Sequence, residues 1–140
     1  MEKILKSLSE IKFLIVEDDD NNLFLIKKLL QMSGVPGKNI YSFRADPLAD
    51  LDEIEVNFDI VFLDIHLPKK DGYLIIKEMR GHPKTTDSLI IALSASVMGQ
   101  DIKMAKAAGF DGFIGKPIDG RKFSENLNHI IRGEDVWIVM

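Results

Sequence analysis

The chain has 140 residues, a net charge of −4 and a sequence pI near 5.3, and it contains no cysteine. This length provides one domain with a hydrophobic core, and a chain without cysteine has neither disulfides nor thiol chemistry. The acidic balance, with no basic stripe, argues against direct nucleic-acid binding. No apolar run is long enough for a membrane span or resembles a signal-peptide core. We therefore expect a cytoplasmic protein that does not insert into membranes.

Short apolar runs alternate along the chain with segments of helical spacing. The predicted strands are Ile11–Val16, Asn39–Phe43, Ile60–Leu63, Leu89–Leu93 and Gly112–Ile114. The predicted helices are Asn21–Ser33, a short acidic segment from Pro47 to Val56, Gly72–Arg80, Gly99–Ala108 and Asp119–Arg132. Asp119 is the expected N-cap of the last helix. Such alternation predicts a mainly parallel sheet covered by helices on both faces.

The two ends of the chain are expected to lie outside this pattern. We assign residues 1–10 to an N-terminal extension, residues 11–132 to one domain and residues 133–140 to an apolar tail. The tail sequence VWIVM (Val136–Met140) is unusual because it is apolar and follows an acidic stretch. We expect it either to fold back on the last helix or to belong to a longer chain.

Polar side chains follow four of the predicted strands. Glu17 and Asp18 come after the first strand, Asp64 after the third, Ser94 after the fourth and Lys116 after the fifth. Parallel sheets bind ligands outside the carboxyl ends of their strands. Clustered carboxylates repel one another unless a cation lies among them, and Mg²⁺ accepts a few protein oxygens while it keeps several waters.

A hydroxyl and an ammonium opposite such a cation suit a phosphoryl group. Ser94 can donate one hydrogen bond to it, and Lys116 supplies a mobile positive charge. The sequence therefore predicts a site that holds Mg²⁺ and a phosphoryl group together, with Asp64 as the candidate nucleophile.

Four segments of the chain resemble the signature blocks of response-regulator receiver domains, in order and at ordinary spacing. The segments are LIVEDDD, VFLDIHLPKKDG, IIALSAS and GFIGKP. The resemblance covers roughly residues 11–132. It implies an α/β fold of the flavodoxin-like, doubly wound type, with five parallel strands in the order 2-1-3-4-5 and helices on both faces.

The resemblance also implies a role for each residue around the metal. Asp64 matches the phosphoacceptor aspartate, which also contacts Mg²⁺. Asp18 matches the acid that binds Mg²⁺ directly, and Glu17 the acid that acts mostly through water. The backbone carbonyl of His66 would complete the metal shell.

Further matching positions are those of the switch. Lys116 matches the lysine that pairs with the phosphoryl group, and its peptide bond to Pro117 is expected to be cis. Ser94 matches the switch hydroxyl and Phe113 the aromatic switch position, here without a phenolic hydroxyl. We expect phosphorylation at Asp64 to draw the Ser94 hydroxyl inward and the Phe113 ring to follow. The face of the fourth helix, fifth strand and fifth helix would then be reshaped for a downstream protein partner.

Two positions are implied to set the lifetime of the phosphoryl group. His66 lies two residues after Asp64, and Ser96 lies two residues after Ser94. In the family this pair flanks the entrance for the attacking water.

The function implied is a phosphorylation-dependent switch of a two-component system or phosphorelay. The phosphoryl donor would be a phosphohistidine on a histidine kinase or a histidine phosphotransfer protein. Such a switch assists its own phosphorylation and dephosphorylation and is not a turnover enzyme. Two alternatives stay open: a phosphatase of the haloacid-dehalogenase type, which needs a second Asp where this chain has His66, and a degenerate receiver that acts only as a binding module. The receiver could be a stand-alone protein or part of a hybrid kinase.

Overall fold

The computed structural model describes residue 4 and residues 6–138, and for Ile138 it describes the backbone alone. The strands in this part are β1 (Phe13–Val16), β2 (Ile40–Phe43), β3 (Ile60–Asp64), β4 (Leu89–Ser94), β5 (Gly112–Gly115) and β6 (Val136–Ile138). The helices are α1 (Asp20–Met32), α2 (Leu48–Leu51), α3 (Gly72–Arg80), α4 (Gly99–Ala108) and α5 (Gly120–Ile131). A short 3₁₀ turn, Gly37–Asn39, leads into β2. None of these helices is long and apolar enough to cross a membrane.

The strands form one parallel sheet in the order β2-β1-β3-β4-β5-β6. The flavodoxin-like order predicted for the first five strands is confirmed. The sixth strand was not predicted, because residues 136–138 were assigned to the apolar tail. These residues instead pair with β5, while Val139 and Met140 lie outside the described residues.

Gly112 lets β6 approach β5 closely. A Cβ atom at this position would lie 2.8 Å from the carbonyl oxygen of Val136 and 2.9 Å from the side chain of Ile91. The absence of a side chain at Gly112 therefore accounts for the close pairing of these two strands.

Helices cover both faces of the sheet, as the alternation predicts. One buried cluster joins the sheet to α1 and α5 through Ile26, Leu30, Phe123, Leu127 and Ile130. The opposite cluster joins the sheet to α2, α3 and α4 through Leu51, Ile75, Ile76, Met79 and Ala105. Since β1, β3 and β4 are apolar on both faces, each of them is a nearly continuous hydrophobic run.

Several observed boundaries differ from the predicted ones in a way that affects the site. The third and fourth strands each extend one residue further than predicted, so Asp64 and Ser94 are themselves the last residues of β3 and β4. The helix predicted between Pro47 and Val56 is reduced to the four residues of α2. The N-cap role of Asp119 is confirmed, since its side chain accepts hydrogen bonds from the backbone N–H groups of Arg121 and Lys122.

The described residues of the N-terminal extension include Ile4 and Leu8, which contact α5 and the core. The backbone N–H of Ile4 donates to the carbonyl of Ile131, at 2.8 Å, and Leu8 packs against the α1–α5 cluster. Ile4 and Leu8 therefore contribute to the core.

Candidate functional site

Three carboxylates meet at the carboxyl end of the sheet. Glu17 directly follows β1 and Asp64 ends β3, and these strands are neighbours, so the two side chains emerge side by side. One oxygen from each of Glu17, Asp18 and Asp64 lies within 4.8 Å of the other two. Glu17 and Asp64 are buried, whereas Asp18 is exposed. The structure thus brings together the three acids that the sequence assigned to a metal.

Lys116, which follows β5, reaches into this cluster. Its Nζ atom donates a hydrogen bond to Asp64 Oδ2 at 3.0 Å and lies 2.6 Å from Glu17 Oε1. The contact with Glu17 is an ion pair without hydrogen-bond geometry. Glu17 Oε1 is consequently the one buried side-chain polar atom, within the described part of the chain, that lacks a hydrogen bond. An unsatisfied buried oxygen beside two further carboxylates fits a hard cation such as Mg²⁺.

The burial of these groups shifts their pKa values in different directions. Burial raises the pKa of Glu17 to about 7, and the neighbouring Asp64 adds to this effect while Lys116 opposes it. Burial alone would also raise the pKa of Asp64, but the neighbouring Glu17 and the hydrogen bonds from the His66 N–H and Lys116 outweigh it, so this pKa lies below its usual value. Asp64 is therefore ionised at neutral pH and available as a nucleophile.

The pH dependence of stability should report on Glu17. Because its pKa is raised to about 7 in the fold, the folded state binds more protons than the unfolded chain between the two pKa values, and stability falls as pH rises. In EDTA, we expect the free energy of unfolding to decrease between about pH 5 and pH 8, and Glu17→Gln to flatten that decrease. Urea titrations at several pH values measure this. An unchanged slope in Glu17→Gln would contradict the assignment.

The hydroxyl of Ser94 is held by the loop that follows β4. Ser94 Oγ donates to the carbonyl of Ser96 at 3.1 Å and accepts from the Ser96 N–H at 3.0 Å. The Ser96 hydroxyl in turn donates to Asp101 Oδ2 at 2.7 Å, in the first turn of α4. Ser94 is fully buried and Ser96 partly buried. The link to Asp101 was not predicted, because a lone acid in a first helical turn is an ordinary capping residue.

Phe113, the predicted aromatic switch position, is already buried in this structure. Its side chain is 0% exposed, so it cannot bury itself further when a phosphoryl group binds. The reason is β6, which places Trp137 beside it in register. The apolar run VWIV was the sequence signal for this strand, but it gave no indication of which edge it would join.

The predicted cis peptide bond between Lys116 and Pro117 is confirmed.

The cleft above the carboxylates has a volume of about 440 Å³ and is open to solvent. It is lined by Glu17, Asp18, Asp19, Asn22, Asp64, His66, Ala95, Lys116 and Pro117. The backbone N–H of His66 donates to Asp64 Oδ1 at 2.9 Å, while its side chain is exposed at the edge of the cleft. The cleft therefore has the Asp64 carboxylate at its floor and the Lys116 ammonium beside it.

Comparison with known proteins agrees with this geometry. The family model of the response regulator receiver domain matches residues 13–128. The chain is 33% identical over 129 residues to hybrid signal transduction histidine kinase L of Dictyostelium discoideum. The matched region is 84% of this chain and 8% of the kinase. It is 32% identical over 125 residues to the osmosensing histidine protein kinase SLN1 of Saccharomyces cerevisiae. That match is 87% of this chain and 10% of the kinase. The chain thus spans a small part of either kinase.

A solved structure gives the same result at the level of the fold. A two-component response regulator from Clostridium difficile superposes with a TM-score of 0.75 at 25% identity, over 88% of this chain and 97% of that one. The family match extends over most of the chain and includes every strand end that forms the cleft. The chain belongs to the response regulator receiver domain family.

Proposed function

We propose that this receiver is a phosphorylation-dependent switch in a phosphorelay or two-component system. In this proposal, Asp64 accepts a phosphoryl group from a phosphohistidine on a histidine kinase or histidine phosphotransfer protein. The main support for this proposal is Asp64 itself, which is a buried, ionised carboxylate. It accepts hydrogen bonds from the His66 N–H and the Lys116 ammonium. The similarity to hybrid histidine kinases supports a donor of this class.

The chemistry requires positioning and charge stabilisation more than covalent participation by further groups. As the P–N bond to the donor imidazole breaks, a P–O bond forms to a carboxylate oxygen of Asp64, and the product is an acyl phosphate. Lys116 can donate to the transferred oxygens, and Ser94 can turn its hydroxyl toward them. The imidazole nitrogen keeps the electron pair of the broken bond.

Glu17, Asp18, Asp64 and the carbonyl of His66 are the groups that we propose to hold Mg²⁺, which neutralises charge on the phosphoryl oxygens when bound. Because Asp18 is exposed, it can bind a cation without losing a contact to a buried group. Glu17 is already shared between Lys116 and the Asp19 N–H. We therefore expect Asp18→Asn to weaken Mg²⁺ binding at least tenfold and more than Glu17→Gln does. Calorimetric Mg²⁺ titration tests this, and equal affinity in Asp18→Asn and wild type would refute the ligand role.

Incubation with Mg²⁺ and acetyl phosphate separates the proposal from its alternatives. A receiver gains one phosphoryl group that is stable to acid and labile to base and hydroxylamine. Continuous hydrolysis of a phosphomonoester would favour the phosphatase alternative, although His66 stands where that class needs an Asp. The absence of any label would favour a degenerate binding module.

Three further parts of the proposal concern lifetime, partners and location. His66 and Ser96 would set how fast water removes the phosphoryl group. A downstream protein would read the face near α4, β5 and α5. We expect the protein to act in the cytoplasm without binding nucleic acid directly.

A further inference from the structure

The sixth strand covers the edge of β5 that carries the predicted switch residue. Its register pairs Phe113 with Trp137, and Val136 is 2% exposed. Trp137 packs against the same hydrophobic cluster as Phe113. The Nζ atom of Lys106, on the last turn of α4, lies 4.8 Å from the centroid of the Trp137 ring.

A chain of contacts connects this strand to the cleft. Ser94 exchanges two hydrogen bonds with the backbone of Ser96, and the Ser96 hydroxyl is bonded to Asp101. Asp101 stands at the start of α4 and Lys106 near its end. Because one helix carries both residues, α4 connects the loop after β4 to the contact between Lys106 and Trp137.

We propose that β6 covers the edge of β5 at the face formed by α4, β5 and α5, and that it detaches from this edge when Asp64 carries a phosphoryl group. We call β6 in this role the strap. This inference rests on the proposed function. A charge-assisted hydrogen bond from Ser94 to the phosphoryl group replaces its weaker one to the Ser96 carbonyl. The freed loop then moves together with α4 through Asp101, and the Lys106–Trp137 contact is lost.

The strap is suited to this role because its attachment is small. It has three residues and pairs with one strand, β5, at the edge of the sheet, and short peripheral elements open at a lower free energy than the core. A partner that recognises the β5 edge beside Phe113 would have to displace it. The strap therefore competes with the downstream partner for one surface.

Trp137 is the single tryptophan of the chain, so acrylamide quenching of its fluorescence reports on the strap directly. With Mg²⁺ and beryllofluoride as the phosphoryl mimic, we expect the quenching constant to increase. Lys106→Gln removes the cation–π contact and should raise the undocked population roughly two- to fivefold without the mimic. Lys103→Gln, an equal charge change at an exposed position of the same helix, is the matched control and should leave quenching unchanged.

Asp101→Ala tests whether α4 transmits the change at Ser94 to Trp137. This variant should still bind beryllofluoride but lose most of the Trp137 response. A full response in Asp101→Ala would overturn the route through α4. If the amide of His66 shifts in NMR spectra on adding beryllofluoride while Trp137 quenching and the amide exchange of residues 136–138 stay the same, the strap is refuted and the proposed function stands. If neither responds, the proposed function itself fails.

Discussion

Replacing Asp64 with Asn is expected to abolish stable phosphorylation by acetyl phosphate in the presence of Mg²⁺. Asn keeps the shape of the side chain and can still accept the hydrogen bond from the His66 N–H, which is 2.9 Å long in the wild type. It lacks the anionic oxygen that must form the new P–O bond. Intact-mass spectrometry after a short incubation should show the mass of one phosphoryl group on the wild-type chain and none on the variant.

The matched control is Asp87→Asn, which makes the same chemical change at an exposed turn remote from the cleft. It should be phosphorylated at the wild-type rate. Loss of labelling in Asp87→Asn, or stable labelling of Asp64→Asn to the wild-type level, would show that the acceptor is another residue.

Replacing Lys116 with Met is expected to cause the largest loss of stability among these variants. The methionine side chain is similar in length, but Glu17 and Asp64 lose the ammonium that lies 2.6 and 3.0 Å from them. Removing one partner of a buried ion pair leaves an uncompensated charge, and we expect a loss of about 3 kcal/mol at about pH 8. The loss should be smaller at about pH 5, because Glu17, whose pKa is about 7, is then protonated.

The control for this variant is Lys70→Met. Lys70 also lies between two carboxylates, those of Asp46 and Glu78, at 2.8 and 2.6 Å. Its site is near the surface, where solvent screens ion pairs, so its removal should reduce the stability much less than the removal of Lys116 does. Mg²⁺ should partly restore the stability of Lys116→Met, since a cation among the carboxylates replaces the lost charge. Equal losses in the two variants, measured by urea unfolding in EDTA, would contradict the buried cluster.

The residues of the cleft could be predicted from sequence because their position follows from topology. In a parallel sheet the carboxyl ends of neighbouring strands share one edge, so Glu17, Asp64, Ser94 and Lys116 had to meet there once the strands were identified. The pairing of Lys116 with both carboxylates could not be predicted, because it depends on side-chain conformations. This pairing opposes the rise that burial causes in the pKa of Glu17.

The sixth strand escaped prediction for a different reason. Val136–Ile138 is too short to show a period, and its pairing depends on a distant residue, Gly112, that leaves room for its backbone. The burial of Phe113 could not be predicted for the same reason, because no local pattern showed that a later segment would pair beside it. Local patterns identify the elements, but long-range contacts decide how the edge of the sheet is completed.

Phosphotransfer from a phosphohistidine is the most direct test of the central claim. Histidine kinases or phosphotransfer proteins of the same organism, carrying radiolabelled phosphohistidine, would be mixed one at a time with the wild-type chain and Mg²⁺. The account predicts that label leaves at least one donor and appears on Asp64 as a hydroxylamine-labile phosphoryl group, and that Asp64→Asn and EDTA each prevent this. Label that stays on every donor, or that settles stably on another residue, would contradict it.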